Sequence, residues 1–287
     1  MRSIPLTLRG RTFTWGERTY VMGILNVTPD SFSGDGLLAE GDPVAAAVAR
    51  ALAMAEEGAD ILDIGGESTR PGHAPVDVEA EIARVIPVIA AVRAALPGMP
   101  IGVDTTKRAV AEAALGAGAD LLNDVRATDP AAELAELAAE RDVPLILMHG
   151  RRAEPFTDVV DDVIADLVRA RDAALDAGCR PQHLIVDPGI GFGKTADESL
   201  ALLRDLARFH ELGHPVLLGA SRKSVIGHAL GGLPPEERLE GTLVTTALAV
   251  MDAVDLVRVH DVRANLRAAR MADAIVRAGE PRDGMGG

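Results

Sequence analysis

Lysine, cysteine and aromatic side chains are all scarce in this chain of 287 residues, and each scarcity excludes something. Aromatic residues make up 2% of the sequence, with one Trp, one Tyr and five Phe, which leaves almost no platforms on which nucleic acid bases could stack. A formal net charge of −14 repels phosphate backbones as well, so neither DNA nor RNA is expected as a partner. The single cysteine, Cys179, has no partner for an intrachain disulfide. No uninterrupted apolar run reaches the ~18 residues of a membrane span, and Met1-Arg2-Ser3-Ile4-Pro5 lacks the apolar stretch of a signal peptide. A cytoplasmic protein without a membrane partner is therefore expected. Lysine occurs only at Lys107, Lys194 and Lys223, against 26 arginines. Arginine evidently serves wherever any surface cation suffices, so a remaining lysine marks a place where a compact ammonium is needed.

What is present is a globular composition, with 48% hydrophobic and 25% charged residues. Eight short apolar runs recur along the chain: Tyr20 to Leu25, Ala59 to Ile64, Pro100 to Val103, Ala119 to Leu122, Val143 to Met148, His183 to Val186, Pro215 to Leu218 and Val254 to Val259. Most are too uniformly apolar to have a wet face, which suits parallel strands covered on both sides. Helical patterns separate them. Residues 77 to 96 carry Val78, Ile82, Val85, Ile86, Ile89 and Val92 at spacings of three and four. Gly-Ala-Asp precedes two of the strands, at residues 58–60 and 118–120, with glycine placed to end a helix. Eight such units without a composition break predict a single α/β domain, a (β/α)8 TIM barrel spanning residues 20–278. A doubly wound open sheet is the alternative. Residues 1–19, with Trp15, are expected to form an N-terminal hairpin or plug over the barrel bottom, and 279–287 a flexible tail.

Barrel enzymes build their sites at the carboxyl ends of the strands. Here that ring reads Asn26, Asp63, Asp104, Asn123 with Asp124, His149, Asp187, Ser221 with Lys223, and Arg258 with His260, whereas the opposite ends offer mostly Ala, Gly, Pro and Val. Asp104, Asn123, Asp187 and Lys223 suit the edge of a flat heterocycle, because carboxylates accept from ring NH and amino groups while an ammonium donates to a carbonyl or ring nitrogen. Asn26, Arg70, Arg258 and His260 suit an anion with several oxygens. Asp63 is read either as part of this ring or as a cap on the loop that follows it. Lys107 and Lys194 are assigned to rim ion pairs, Cys179 to packing, and His73, His183, His210, His214 and His228 to the surface. His149 is left open. Two polar, glycine-rich loops follow strand ends, Asn26 to Gly36 and Glu67 to Gly72; Phe32 is the single large apolar side chain of the first.

The segments MGILNVTPDSFS from Met22, DIGGESTRPG from Asp63, VDTTK ending at Lys107, LLNDV ending at Val125, DPGIGFGK from Asp187, SRKS from Ser221 and RVHDV from Arg258 stand in order at successive strand ends. Together they make the chain resemble the dihydropteroate synthase family, the transferases of folate biosynthesis that sulfonamides inhibit. The resemblance implies condensation of 6-hydroxymethyl-7,8-dihydropterin diphosphate with 4-aminobenzoate. By that likeness the pterin is held by Asp104, Asn123, Met148, Asp187, Phe192 and Lys223, with Arg222 over its face. The pyrophosphate falls to Asn26, Thr69, Arg70, Arg258 and His260, with Mg2+ on Asn26, and Phe32, Thr69, Pro71, Phe192 and Ser224 frame 4-aminobenzoate. Asp104, Lys223, Arg258 and His260 are the expected catalytic set.

The chain departs from the usual pattern at Gly34-Asp35-Gly36 in the first loop and at Gly150-Arg151-Arg152 after the fifth barrel strand. A methyltetrahydrofolate-corrinoid methyltransferase would not need the pyrophosphate residues, and a non-catalytic pterin-binding paralogue would be expected to lose some of them. The segment Leu239 to Val254 is apolar around most of its surface, through Leu243, Val244, Ala247, Leu248, Val250 and Met251, which predicts a homodimer through the last helices.

Overall fold

A computed structural model describes residues 4–27, 42–67, 76–129, 133–150 and 155–276. The chain opens with an antiparallel hairpin, β1 (Leu6–Leu8) and β2 (Arg11–Phe13), in which Leu6 faces Phe13. Eight parallel strands follow: β3 (Tyr20–Asn26), β4 (Ile61–Gly65), β5 (Ile101–Asp104), β6 (Leu121–Asp124), β7 (Leu145–Met148), β8 (Leu184–Asp187), β9 (Leu217–Leu218) and β10 (Leu256–Val259). Their order is β8-β7-β6-β5-β4-β3-β10-β9, and a parallel bridge between Val186 and Val216 sets β8 beside β9, so the sheet all but closes into a barrel. The helices are α1 (Pro43–Glu57), α2 (Val78–Ala95), α3 (Arg108–Ala117), α4 (Leu134–Arg141), α5 (Val159–Asp176), α6 (Ala196–Arg204), α7 (Ser224–Ala229), α8 (Leu239–Met251) and α9 (Val262–Val276). None of the described helices is long and apolar enough to cross a membrane. The open-sheet alternative is excluded. The expected tail, 279–287, lies outside the described residues.

Strands begin later, end later, or both, relative to their apolar runs. The ladder begins after Ala59-Asp60 and Ala119-Asp120, which belong to the turns leaving α1 and α3, and it continues through Asp104, Asn123 and Asp187. Backbone pairing is indifferent to side-chain polarity, so hydrophobicity alone marks a strand too early. Alternation along the strands sorts side chains between two cores. One set, including Val21, Leu62, Val103, Leu122, Leu147, Val186, Leu218 and Val257, packs against the helices. The other, Met22, Ile61, Leu121, Ile146, Ile185, Leu217 and Leu256, fills the barrel and joins Leu6, Leu8, Phe13, Trp15 and Tyr20 of the amino-terminal segment. The hairpin thus plugs the lower end, with Phe13, Trp15 and Tyr20 rings 4.9 to 5.8 Å apart.

In α2 the apolar stripe is rotated from its expected position. Val85, Val88, Ile89 and Val92 are buried together with Glu81, while Ile82 and Ile86 lie at the margin. The reason is a buried ion pair, since Glu81 turns inward to meet Lys107 at 2.5 Å.

At the barrel bottom the helix-exit turns perform a second task. Gly118 ends α3 with φ +114°, a conformation that costs a residue with a Cβ, and two residues on the Asp120 carboxylate accepts from Ile101 N at 2.9 Å, Arg9 Nε at 2.6 Å and Arg93 Nη2 at 2.5 Å. Asp60 does the same for Val21 N (2.9 Å) and Asp255 for Val216 N (3.0 Å). Amide donors at the entry to these strands are thereby satisfied from the neighbouring strand's entry turn. Asp120→Ala should lower unfolding free energy by about 1–3 kcal/mol in urea denaturation, because a buried N–H and two guanidinium groups lose their acceptor.

Candidate active site

On four strands the barrel-facing positions change character over one two-residue step. Ile61 is followed by Asp63, Leu121 by Asn123, Ile185 by Asp187, and Leu256 by Arg258. Two residues of strand rise only about 6.6 Å, so an apolar floor gives way at once to a charged layer. Asp104 pairs in register with Asn123, and Met148 with Asp187. Asn26 at the end of β3 and Met148 at the end of β7 lie, by alternation, on the same inward face. Asp124 does not join the ring, because it lies on the opposite face of β6 and accepts from Arg126 N at 2.9 Å. Burial raises its carboxyl to about 6.

Arg258 crosses the centre of this layer. Its Nε donates to Asp63 Oδ2 and its Nη2 to Asp104 Oδ2, each at 2.6 Å. Asn123 Nδ2 donates to the same Asp63 oxygen at 2.9 Å. Asp63 is fully buried, so it is an inner counter-ion and not a loop cap; its side chain points into the barrel, away from the backbone that a cap would serve. Its other oxygen, Oδ1, is buried without a hydrogen-bond partner and lies 2.6 Å from where a Cβ on Gly102 would stand. Burial lifts the Asp104 carboxyl to about 7, against the pull of Arg258 and with the help of Asp63 and Glu81. For Arg258 burial opposes the charge, but Asp63 and Asp104 outweigh it and hold the guanidinium above its ordinary range. The two residue sets that sequence kept apart thus share Arg258.

Asp187, Lys223 and Arg258 converge on Gly219. A Cβ placed there would lie 3.5 Å from Asp187 Oδ2, 3.9 Å from Lys223 Nζ and 4.0 Å from Arg258 Cβ. Asp187 Oδ1 accepts from Gly189 N at 2.7 Å, while burial raises its carboxyl against the nearby Lys223 charge. Lys223 donates to Ile190 O at 2.5 Å and stands 4.5 Å over the Phe192 ring. Burial lowers its ammonium to about 8, partly countered by Asp187.

His260 is fixed by Ser221, whose Oγ accepts from His260 N (3.2 Å) and lies 3.0 Å from Nδ1. When that hydroxyl donates to Nδ1, the neutral ring carries its proton on Nε2. The Arg222 guanidinium is held bidentately by Asp261, at 2.6 and 2.9 Å. Ser224 is exposed at the first turn of α7. Lys107 makes the expected ion pairs, with Glu67 and Glu81. Lys194 does not, since it is held by carbonyls and by His149. Cys179 is buried beside Ala135 O, remote from the ring. Of the surface histidines, His228 is exposed, whereas His183, His210 and His214 are half-buried. Phe32, Thr69, Arg70, Pro71, His73, Arg151 and Arg152 lie outside the described residues, as does most of both expected closing loops.

Sequence reasoning did not find the Lys194, His149 and Asp166 network, although lysine scarcity was a signal for it. Asp166, in the middle of α5, gave none.

The lowered Lys223 ammonium has a consequence for stability. A base whose folded value falls from 10.5 to about 8 destabilises the fold below pH 8, and the penalty disappears as pH rises to 10.5. Lys223→Met should therefore unfold at a higher temperature than the parent at pH 7, with the gap closing between pH 8 and 10.5 in scanning calorimetry. An equal gap across that range would contradict the burial of the ammonium.

Comparison with known proteins agrees with this geometry. Residues 22–260 match the family described as pterin binding enzyme. Over 273 residues the chain is 48% identical to the dihydropteroate synthase of Clostridium beijerinckii, covering 95% of this chain and 100% of that protein. The structure of Xanthomonas albilineans dihydropteroate synthase with 4-aminobenzoic acid superposes with a TM-score of 0.88 at 46% identity, covering 97% of this chain and 100% of that one. The same enzyme in complex with 7,8-dihydropteroate gives 0.85 at 44% identity, with the same coverage. The chain belongs to the dihydropteroate synthase family of pterin binding enzymes.

Proposed function

We propose that the chain joins 6-hydroxymethyl-7,8-dihydropterin diphosphate to 4-aminobenzoate, giving 7,8-dihydropteroate and pyrophosphate. The observation that carries this reading is the approach of Asp187 Oδ2 and Lys223 Nζ to within 4 Å of one point above Gly219, with Asp104 and Asn123 completing the layer. Carboxylates and an amide can accept from the pterin's amino and ring NH groups, and Lys223 can donate to its carbonyl or ring nitrogen. A heterocycle with the wrong edge leaves buried partners unmet, at about 1–3 kcal/mol each.

The reaction is a dissociative substitution. The C–O bond between the pterin methylene and the diphosphate breaks, and its electron pair leaves with the oxygen. Arg258 and the Nε2 proton of His260 stabilise the charge that develops there. Asp104 stabilises the methylene cation until the amine of 4-aminobenzoate attacks the carbon and releases a proton. Once diphosphate draws on Arg258, Asp63 remains as its inner partner, so Asp104 is freed for the pterin. No enzyme nucleophile is needed. Asn26 offers one hard amide oxygen, which fits a magnesium ion completed by phosphate oxygens and water; among the described residues no group of three or more His, Cys, Asp or Glu could hold a metal by itself. Bound there, magnesium would draw charge from the departing phosphate oxygens. We extend the proposal to 4-aminobenzoate framed by Phe32, Thr69, Pro71, Phe192 and Ser224, where a sulfonamide would compete, and to diphosphate held by Thr69 and Arg70 alongside Asn26.

The last helices are proposed to pair two copies of this chain. Helix α8 buries Thr242, Thr245 and Thr246, which bond Arg238 O, Thr242 O and Asn265 Oδ1, and turns Val244, Leu248 and Met251 outward at 58, 47 and 59% exposure. Met271 and Ile275 of α9 are exposed as well, at 63 and 60%. A helix that hides threonines and shows an apolar stripe is built for a second surface, and a two-fold axis lets the same stripe cover itself.

The decisive experiment supplies purified protein with dihydropterin diphosphate and magnesium, with and without 4-aminobenzoate, and follows pyrophosphate and dihydropteroate. Release that depends on 4-aminobenzoate is expected. Pterin binding without it would favour a non-catalytic paralogue or a corrinoid methyltransferase. Arg258→Ala should cut turnover by about 100-fold or more, as loss of a developing-charge partner does, with a smaller effect on the KM for 4-aminobenzoate. Light scattering should give twice the chain mass, and half that for Val244→Glu/Leu248→Glu; a parent protein at the single-chain mass overturns the pairing.

A further inference from the structure

The segment Asp187 to Lys194 is pinned from two sides by two half-buried lysines, Lys194 and Lys223. Three carbonyls turn toward Lys194 Nζ, from Gly189 at 2.9 Å, Phe192 at 3.1 Å and His149 at 3.3 Å, and His149 Nδ1 stands 2.9 Å away. The carbonyl between them, of Ile190, turns the other way and takes the Lys223 ammonium, while the Phe192 ring lies beneath that ammonium. Gly189, at φ +68°, makes the close approach possible, because a Cβ there would fall 1.9 Å from His149 O. Acceptance at Nδ1 requires His149 to carry its proton on Nε2, where Asp166 Oδ2 receives it at 3.0 Å. Asp166 is in turn held by Arg169. Burial and the Lys194 charge push His149 down to about 4, consistent with a neutral ring that accepts. Among the described residues, the hydrogen-bond partners of Lys194 include no carboxylate. An ammonium spent on carbonyls is shaping a backbone.

We infer that Lys194 is a positioning residue for the pterin site, with His149 and Asp166 as its support: it fixes the loop that aims the Lys223 ammonium and sets the height of the Phe192 ring. The inference rests on the pterin reading given above. Lys194 itself touches neither substrate nor the reacting atoms; it acts through Ile190, Phe192 and Lys223.

The scarcity of lysine makes a direct test available. Protein carrying lysine labelled with 13C at the ε position gives three side-chain resonances, from Lys107, Lys194 and Lys223, and the Lys223 signal reports its surroundings without any ligand. In Lys194→Met the Lys223 resonance and its titration should move in the folded, ligand-free protein, and the Kd for dihydropterin diphosphate should rise about 10-fold, the loss of one charge-assisted hydrogen bond. His149→Leu should act in the same way, and serves if Lys194→Met does not fold. His149→Asn, whose amide oxygen can replace Nδ1 as an acceptor, should restore much of both. A role in stability alone would lower the melting temperature and leave the Lys223 signal in place. An unmoved Lys223 resonance in a folded variant overturns the inference, and so does a moved resonance with unchanged pterin affinity. Failure of the parent protein to bind the pterin would instead strike the function proposed above, with the ligand-free resonances still deciding whether Lys194 sets Lys223.

Discussion

The guanidinium of Arg258, held between Asp63 and Asp104, is the contact on which the upper half of the barrel depends. A charged group so enclosed needs carboxylate partners, and those carboxylates in turn need it, because Asp63 is fully buried and one of its oxygens has no hydrogen bond at all. The three residues come from β4, β5 and β10, so the ion pairs tie together strands on both sides of β3. Asp63 keeps the guanidinium in place when Asp104 is occupied elsewhere. The same arrangement explains why Gly102 stands beside Asp63, where a methyl group would collide with the carboxylate.

The two ends of the barrel treat aspartate differently. At the bottom, Asp60, Asp120 and Asp255 are satisfied by amide donors, with arginines added at Asp60 and Asp120, and they complete the strand ladder. At the top, Asp104 and Asp187 are raised by burial and only partly met by cations, a condition useful to a ligand and costly to the fold. Lys223 belongs to the same economy, as an ammonium lowered by burial whose hydrogen bond goes to a carbonyl. A fold carries such groups where the geometry must exist before the substrate arrives.

The glycine-rich segment after β8 illustrates how a weak sequence signal becomes specific. Its glycines match neither a P-loop nor a dinucleotide fingerprint. In three dimensions they allow carbonyls to alternate in direction, two of them toward Lys194 and one toward Lys223, so the loop separates two like charges and gives each a place.

By itself the sequence determined the barrel, the polar end of its strands, and most residues of that layer. Eight apolar runs bounded by turns allow few other folds, and polar residues at strand ends have only the mouth to face. Strand limits were displaced by up to two residues, since hydrophobicity stops where the ladder does not. Only the tertiary structure decided who partners whom. Arg258 meets Asp63 and Asp104 across 195 and 154 residues of chain, Asp124 turns outward next to an inward Asn123, and Arg222 goes to Asp261. The α8 threonines lie inside while Val244, Leu248 and Met251 lie outside, against what hydrophobicity suggests, because the hydroxyls find acceptors within the protein. Periodicity tells which way a side chain points; it holds no information about which distant group arrives there, and for a buried charge that partner decides everything.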